Sequence, residues 1–569
     1  MPSRKKSKPN QSSKKKADHE WIRIRYHLYQ KTHAQVQRML GEESLGLKKY
    51  RASYEKECKG NWLVSTRTDL RKEVAASTLV LLGDFHALKQ SQRTQLRVMQ
   101  SYHEWNQKQR KKQGIVLAVE FFSWIHQAKL EKYLKDQMSE SEFLTIIEWG
   151  KSWGFPWSHY LPLISWAKAL SIPIYGINKK QTQRDASSLR YRDRYSAEVL
   201  ANIREKHPDS IIFVIYGDLH LAGPHLPREI EGRLRQEKTL KIFQNSEKIY
   251  FELMDRGLDL KVDVVRLAEK KFCILSVPPW VKWQTYLNVL ESYLIREGFA
   301  EEEVDYTDQI EQYLKLYTEE FGIPLPEGSS EVFTTTDEGR QRAPGPPISP
   351  PISLWRKLEK AVPRNLLADY KYMIENSQSF YIPEIAGSYL AKPSVNHFSE
   401  LAMGTIYARL SGWKQRPPAG PIHFSRLIWL EAVLYFGTKV VNPRRKTDMI
   451  RDIQQSLALR VTNNESREIL QLALRRKIFE KGLREGQEVK LPPAVKIRRS
   501  SYIEAARLLG GMLGEKLYFA YHEGLVSTEK LLEWLRQDLS RGQFEKFYFA
   551  FLKQIDSYPD PFVSKKEKL

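Results

Sequence analysis

Short apolar runs recur along the first half of the chain, and stretches with helical spacing of apolar residues separate them. Between the first two runs, Val98, Tyr102 and Trp105 share one helical face. The runs themselves are typical of buried strands, and they are TLVLL (78–82), IVLAV (115–119), IPIYGI (172–177), IIFVIY (211–216) and FCILSV (272–277). Strands that alternate with helices predict an α/β layered domain with a mainly parallel sheet.

The remainder of the chain is predicted to be largely helical. Residues 19–60 have amphipathic spacing, and residues 281–322 are also predicted to be helical. FSRLIWLEAVLYFG (424–437) places Leu427, Leu430 and Leu434 on one helical face. The segment RAPGPPISPPIS (342–353) is dense in proline, which disrupts helices and is excluded from central strands. The predicted organisation is a basic disordered tail at 1–18, an α/β domain at 19–325, a proline-rich linker at 326–353 and a mostly α-helical domain of unknown function at 354–569.

Composition adds that the protein is basic and poor in cysteine. The formal net charge of the 569 residues is +23, and residues 1–16 hold seven of the cations and no acid. Two cysteines cannot build a disulfide framework. The apolar runs are too short to span a bilayer and no signal-peptide core follows the tail, so we expect a cytoplasmic protein without a membrane span. The tail predicts weak contact with an anionic partner, or it simply keeps the chain in solution.

Two stretches of the chain read almost the same. LVLLGDFH (79–86) and FVIYGDLH (213–220) are both apolar runs that end in Gly-Asp, one apolar residue and His. Glu120 follows the second strand run and Asn178 follows the third. Ligands of open α/β sheets bind beyond the carboxyl ends of the strands, so parallel strands would bring these polar side chains together.

This set of residue types suits a divalent cation. Imidazole together with carboxylate favours Zn, Mn, Fe or Co, and two histidines with one carboxylate leave positions open for water or substrate. The predicted metal ligands are His86, Glu120, His220 and Asp218. The simpler alternative is that Asp84 and Asp218 cap the helices that follow and that the histidines are hydrogen-bonded parts of the core.

Two further features could belong to the same site. Arg192, in LRYRDRYSAEVL (189–200), could hold an anionic group, or it could pair with Asp193 on a solvated helix. The aromatic stretch WGKSWGFPWSHYLPL (149–163) could line a flat apolar pocket or could be plain core. Tyr160 lies within that stretch, and tyrosine is one of the residues that ligate haem iron.

The ordered motifs resemble a known family over roughly residues 75–235. Strand-GDFH, strand-Glu-Phe-Phe, WGFPWSHYLPLISWAKALSIPIYGIN, YRDRYSAEVL and strand-GDLH together resemble the haem-binding-uptake ChaN domain of the Tiki superfamily, which includes erythromycin esterases and TraB-like proteins. The resemblance implies haem binding or metal-dependent hydrolysis. It also implies a site made of two Gly-x-x-His motifs, one glutamate and one arginine, which here are Gly83, His86, Glu120, Arg192, Gly217 and His220.

Three functions stay open from the sequence. A ChaN-like protein would bind haem or a divalent metal in the cleft, with His86, His220 and Tyr160 contacting the cofactor. A metal-dependent hydrolase of esterase or peptidase type would use Glu120 and Arg192 as catalytic residues. A nucleic-acid or partner-binding protein would use the basic tail and NPRRK (442–446), and its cleft would be vestigial.

Overall fold

The computed structural model divides the chain into two compact units. One unit comprises residues 25–300, and the other comprises residues 301–569 together with residues 1–24. The residues that the structure describes are 11–179, 186–296, 306–324, 331–334, 351–458, 464–487, 497–540 and 542–558.

The first unit is built on an eight-stranded sheet. Its strands are β1 (Leu63–Ser65), β2 (Leu79–Asp84), β3 (Ile115–Ser123), β4 (Ile174–Asn178), β5 (Ile211–Gly217), β6 (Thr239–Gln244), β7 (Val264–Ala268) and β8 (Lys271–Ile274). They lie in the order β1-β7-β8-β6-β2-β5-β3-β4. The six strands from β8 to β4 run parallel, and β1 and β7 continue the sheet antiparallel at one edge. The predicted α/β class is confirmed.

Helices precede, separate and follow these strands. Their bounds are α1 (Gln11–Leu40), α2 (Leu45–Glu57), α3 (Arg67–Ala75), α4 (Lys89–Asn106), α5 (Gln127–Leu134), α6 (Glu140–Ile146), α7 (Trp149–Ser152), α8 (Trp157–Ala169), α9 (Ala186–Lys206), α10 (Leu226–Arg233), α11 (Glu247–Asp255) and α12 (Pro279–Arg296). Short 3₁₀ helices follow β3 at Trp124–His126 and β5 at Asp218–Leu221. Helix α1 begins inside the segment that was predicted as a tail, and residues 1–10 lie outside the described residues.

The two central strands, β2 and β5, show why the apolar runs in the sequence predicted strands. Every residue of β2 and of β5 is buried, because parallel strands are covered by helices on both faces. Such strands appear in the sequence as continuous apolar runs. Strand β3 runs on to Ser123, but its pairing with β5 ends at Val119, so Glu120 still comes directly after the paired segment.

The second unit is mostly helical, as predicted. Its helices are α13 (Thr307–Phe321), α14 (Ile352–Ala361), α15 (Arg364–Glu375), α16 (Val395–Ser411), α17 (Phe424–Val441), α18 (Ile450–Ala458), α19 (Asn464–Arg484), α20 (Arg499–His522), α21 (Thr528–Leu535) and α22 (Phe544–Asp556). Three short strands, β9 (Val332–Thr334), β10 (Phe380–Ile382) and β11 (Gly387–Leu390), form a second sheet. Much of the predicted proline-rich linker, residues 335–350, lies outside the described residues.

Helices α17 and α20 form the centre of this unit. A Cβ atom on Gly510 would lie 2.8 Å from the backbone nitrogen of Ala432, and one on Gly514 would lie 2.5 Å from the carbonyl oxygen of Ala432. Glycine is therefore what allows the two helix backbones to approach so closely. No helix in the described part of the chain is long and apolar enough to cross a membrane.

Candidate functional site

The end of β2 places a carboxylate behind the first motif histidine. Oδ2 of Asp84 lies 2.8 Å from Nδ1 of His86, and Gln92 donates a hydrogen bond of 2.6 Å to the other oxygen of Asp84. Burial alone would lower the pKa of His86, but the hydrogen bond and charge of Asp84 raise that pKa above its usual value. In the neutral ring the Nδ1 atom therefore carries the proton, and Nε2 keeps its lone pair.

The end of β5 repeats this arrangement with a different carboxylate. Nδ1 of His220 lies 2.6 Å from Oδ1 of Asp193, which belongs to α9. The hydroxyl of Tyr50, on α2, donates a hydrogen bond of 2.7 Å to Oδ2 of the same aspartate. Both motif histidines thus have Nδ1 on a buried carboxylate, but only in the first motif does the motif's own aspartate provide it.

Asp218, the aspartate of the second motif, lies elsewhere. A Cβ atom on Gly83 would be 1.6 Å from Oδ1 of Asp218, so the carboxyl group occupies the space that the glycine leaves free. Neither oxygen has a side-chain partner within hydrogen-bonding distance. Burial raises the pKa of Asp218 to about 7, although the charge of Lys282 opposes the shift. Asp218 is therefore a packed, partly protonated acid and not a member of the histidine cluster.

Glu120 is held by bonds to two separate parts of the fold. Its Oε2 accepts a hydrogen bond of 2.7 Å from the backbone N–H of Gly217, and its Oε1 pairs with the guanidinium of Arg192. Arg192 also donates from Nε to the side-chain oxygen of Asn178 at 3.2 Å. Both carboxylate oxygens are therefore engaged, which satisfies a charge that is almost completely buried.

Three of the predicted side chains converge on Gly217. A Cβ atom on that glycine would lie 3.4 Å from Oε2 of Glu120, 3.4 Å from Cδ2 of His220 and 3.5 Å from Nε2 of His86. Nε2 of His86 is itself 3.8 Å from Oε2 of Glu120. The missing side chain of Gly217 is thus the centre of the cluster, and a larger residue would crowd all three groups.

The two histidines differ in their access to solvent. The side chain of His86 is 25 % exposed and that of His220 is 9 % exposed. Trp153 packs edge-on against the His86 ring with centroids 4.6 Å apart, and the Phe155 ring lies 5.2 Å away. A ligand that arrives from solvent would therefore meet His86 first, beside an aromatic wall.

Tyr160 is not positioned as a direct ligand. It is completely buried, and burial raises its pKa well above the usual value, so the phenol keeps its proton. Its hydroxyl donates to Oδ2 of Asp84 at 3.3 Å. Tyr160 thus helps to hold the carboxylate behind His86.

The structure does not confirm the metal centre that was predicted from His86, Glu120, His220 and Asp218. Among the residues described, no group of three or more His, Cys, Asp or Glu side chains is arranged to hold a metal ion. The structure groups His86, Glu120, Arg192 and His220, and it separates Asp218 and Tyr160 from the free imidazole edges. Asp193 was considered in the sequence only as a partner for Arg192, and Tyr50 carried no recognisable signal because it lies in a separate helix.

The fold and site define a layered α/β domain with two carboxylate-backed histidines at neighbouring strand ends. Residues 70–190 match the family model for haem-binding uptake, Tiki superfamily, ChaN, which confirms the resemblance drawn from the motifs. Among solved structures, the chain is similar to "Cofacial heme binding to ChaN of Campylobacter jejuni". The two are 14 % identical with a TM-score of 0.27, over 32 % of this chain and 86 % of that one. No curated protein matches the chain.

Proposed function

We propose that this protein binds haem at the strand-end cleft, with Nε2 of His86 as its ligand to the iron. The observation that carries the proposal is the set of contacts and the solvent exposure of the His86 ring. Its Nδ1 is engaged by Asp84 at 2.8 Å, its Nε2 is left available, and its ring is the more exposed of the two motif histidines. The match of residues 70–190 to a haem-binding family supports the same reading.

The donor set fits such a cofactor. Histidines that ligate metals usually donate their other ring N–H to a carboxylate or carbonyl, which fixes the tautomer and makes the ligand more basic. Trp153 and Phe155 supply flat apolar surface beside His86, as a planar macrocycle requires. Haem would supply an iron that accepts an imidazole nitrogen. His220, on the other side of the Gly217 space, would be the second imidazole near the cofactor.

A titration of the full chain with haemin tests this proposal. Wild type should develop a Soret band that saturates, and His86→Ala should lose most of that band or bind haemin much more weakly. His103→Ala is the matched control, because His103 lies in the last turn of α4 and packs against Trp166, with ring centroids 5.9 Å apart. Equal binding by His86→Ala and wild type would refute the assignment of His86.

A hydrolase is the second candidate, because the same geometry offers acid–base chemistry. Each imidazole has a carboxylate on Nδ1 and an available Nε2, which is the arrangement of a general base. Arg192, held by Glu120, could anchor an anionic group of a substrate. An esterase and peptidase screen, with and without added Zn, Mn, Fe or Co, tests this alternative. Turnover that persists in His86→Ala and His220→Ala would exclude the cluster as its origin.

A further inference from the structure

The buried side of His220 is connected to a helix outside the segment that matches the family model. Tyr50 lies on α2, before residue 70 where the match begins. Its hydroxyl, the carboxylate of Asp193 and the ring of His220 form a continuous chain of hydrogen bonds, with donor–acceptor distances of 2.7 Å and 2.6 Å. Tyr50 is 6 % exposed and Asp193 is 0 % exposed, so water does not compete for these bonds.

Aromatic packing fixes the His220 ring in this chain. The Tyr50 ring meets it edge-on with centroids 5.1 Å apart, and the Tyr216 ring does so at 5.0 Å. On its other side Tyr50 stacks on His225, with centroids 3.5 Å apart and planes 11° from parallel. Rotation of the His220 ring is therefore restricted, and its Nδ1 stays directed at Asp193 while the Cδ2 edge stays near Gly217.

Tyr50 must act as the donor in its bond to Asp193. Burial and the charge of Asp193 raise the pKa of Tyr50 far above its usual value, so its hydroxyl keeps the proton. One oxygen of Asp193 is thus occupied by Tyr50, and the other is directed at His220. A carboxylate accepts hydrogen bonds and donates none when it is ionised, so the neutral His220 ring must place its proton on Nδ1.

We infer that Asp193 and Tyr50 are positioning residues for His220: Asp193 fixes the tautomer that leaves Nε2 free at the cleft, and Tyr50 locks the carboxylate in that orientation. The use of that free nitrogen toward a ligand rests on the proposed function. The tautomer itself is a property of the protein without ligand. Tyr50 thereby makes helix α2 part of the site, although the sequence motifs do not include it.

Histidine-selective ¹⁵N labelling of the full chain, followed by long-range ¹H–¹⁵N spectra, tests the inference. The His220 signal is assigned by its loss in His220→Gln. Wild type should show the Nδ1–H tautomer. Asp193→Asn can present an amide N–H to Nδ1 while Tyr50 donates to the amide oxygen, so its His220 signal should move toward the Nε2–H tautomer. A wild-type ring with its proton on Nε2, or an unchanged tautomer in Asp193→Asn, would overturn the inference.

Tyr50→Phe tests whether Tyr50 holds the Asp193 carboxylate in its orientation, and it leaves the charge of Asp193 in place. The ring contacts remain, so the variant should fold and keep the Nδ1–H tautomer. The Nδ1 proton should exchange with solvent about tenfold faster, because one hydrogen bond to a charged group has been removed. Tyr54→Phe is the control on the same helix, since its hydroxyl donates only a 3.4 Å bond to the carbonyl of Gln244. An exchange rate in Tyr50→Phe equal to that of Tyr54→Phe would refute the role of Tyr50.

Haemin titrations of the same variants separate this inference from the proposed function. If haemin binds, Asp193→Asn should weaken binding less than His86→Ala does, because His220 is the less accessible ring. If no variant binds haemin, the proposed function fails, and the tautomer spectra still decide the roles of Asp193 and Tyr50.

Discussion

Oδ1 of Asp193 lies 2.6 Å from Nδ1 of His220, in the place that the motif's own aspartate takes for the other histidine. Both histidines of the two Gly-Asp-x-His stretches therefore have a carboxylate at Nδ1, but the carboxylate comes from a different part of the chain in each case. In the first stretch the aspartate orients the histidine, and in the second the aspartate fills the space above Gly83. This difference makes the two motif aspartates matched controls for each other.

Asp84→Asn should bind haemin more weakly than Asp218→Asn does. Asp84 contacts His86 directly, and loss of a group that orients a metal ligand typically weakens binding about 10–100-fold. Asp218 does not contact either histidine, so its replacement should leave the affinity near that of wild type. Absorption titrations of the three proteins at pH 7 measure this difference. Equal weakening in both variants would contradict the different contacts of Asp84 and Asp218.

The stability of the protein should depend on pH through Asp218. Its pKa is about 7 in the folded chain, against 3.8 for the free side chain, so the folded state binds the proton more tightly. Stability from this group is fully present below about pH 4 and is lost as pH rises toward 7, at no more than about 1.4 kcal/mol per pH unit. Asp218→Asn cannot ionise. Its melting temperature should exceed that of wild type at pH 8 by more than at pH 5.

The two motif glycines should respond differently to enlargement. Gly83→Ala should be strongly destabilised, because its Cβ would lie 1.6 Å from Oδ1 of Asp218 in a packed core. Adding Asp218→Ala should restore much of the loss, since the colliding carboxyl group is then absent. A double-mutant cycle of unfolding free energies measures the rescue. Purely additive losses would show that the contact is not the cause.

Gly217→Leu should abolish haemin binding. The Cβ position of Gly217 has its nearest neighbours at 3.4–3.5 Å, which is ordinary contact, so one extra carbon is accommodated. A leucine side chain would extend further between His86 and His220. The variant should therefore lose haemin binding, and it should melt at a lower temperature than wild type because the leucine crowds buried polar groups. Gly217→Ala is the control that should retain part of the binding.

Arg445 should matter for stability and not for nucleic-acid binding. It belongs to NPRRK (442–446), yet its Nη1 donates a 2.7 Å hydrogen bond to Thr438 and its guanidinium lies 4.7 Å from the Tyr435 ring centroid. Arg445→Ala should cost about 1–2 kcal/mol of unfolding free energy, from one charged hydrogen bond and one cation–π contact. Thermal unfolding measures the loss. A variant of unchanged stability that loses nucleic-acid affinity would support the basic-motif hypothesis instead.

The sequence predicted the parts of the fold that depend on local pattern. The strands that became β2, β3, β4, β5 and β8 were visible because buried parallel strands are continuously apolar. Strand β6 was missed, since TLKIFQ (239–244) is interrupted by Lys241 and ends in Gln244. Strand β1 at one edge of the sheet and its neighbour β7 were missed as well, because short and partly exposed strands lack a distinctive run.

The sequence predicted which residues lie at the site, but it did not predict the hydrogen bonds between them. Strand ends indicated that His86, Glu120 and His220 would converge, because parallel strands share a carboxyl edge. Two aspartates with the same local sequence could not be told apart, since the difference depends on which face of the sheet each carboxyl group enters. The partner of His220 comes from a neighbouring helix, and such long-range contacts leave no signal in one sequence.

Haemin binding by wild type and by His86→Ala, measured from the Soret band at equal protein concentration, tests most directly whether His86 is the iron ligand. Nε2 of His86 is the available nitrogen beside the aromatic wall, so wild type should bind haemin and His86→Ala should not saturate in the same range. His103→Ala should behave as wild type. A saturable Soret band in His86→Ala with the same strength and affinity as in wild type would contradict the assignment of His86 as the iron ligand.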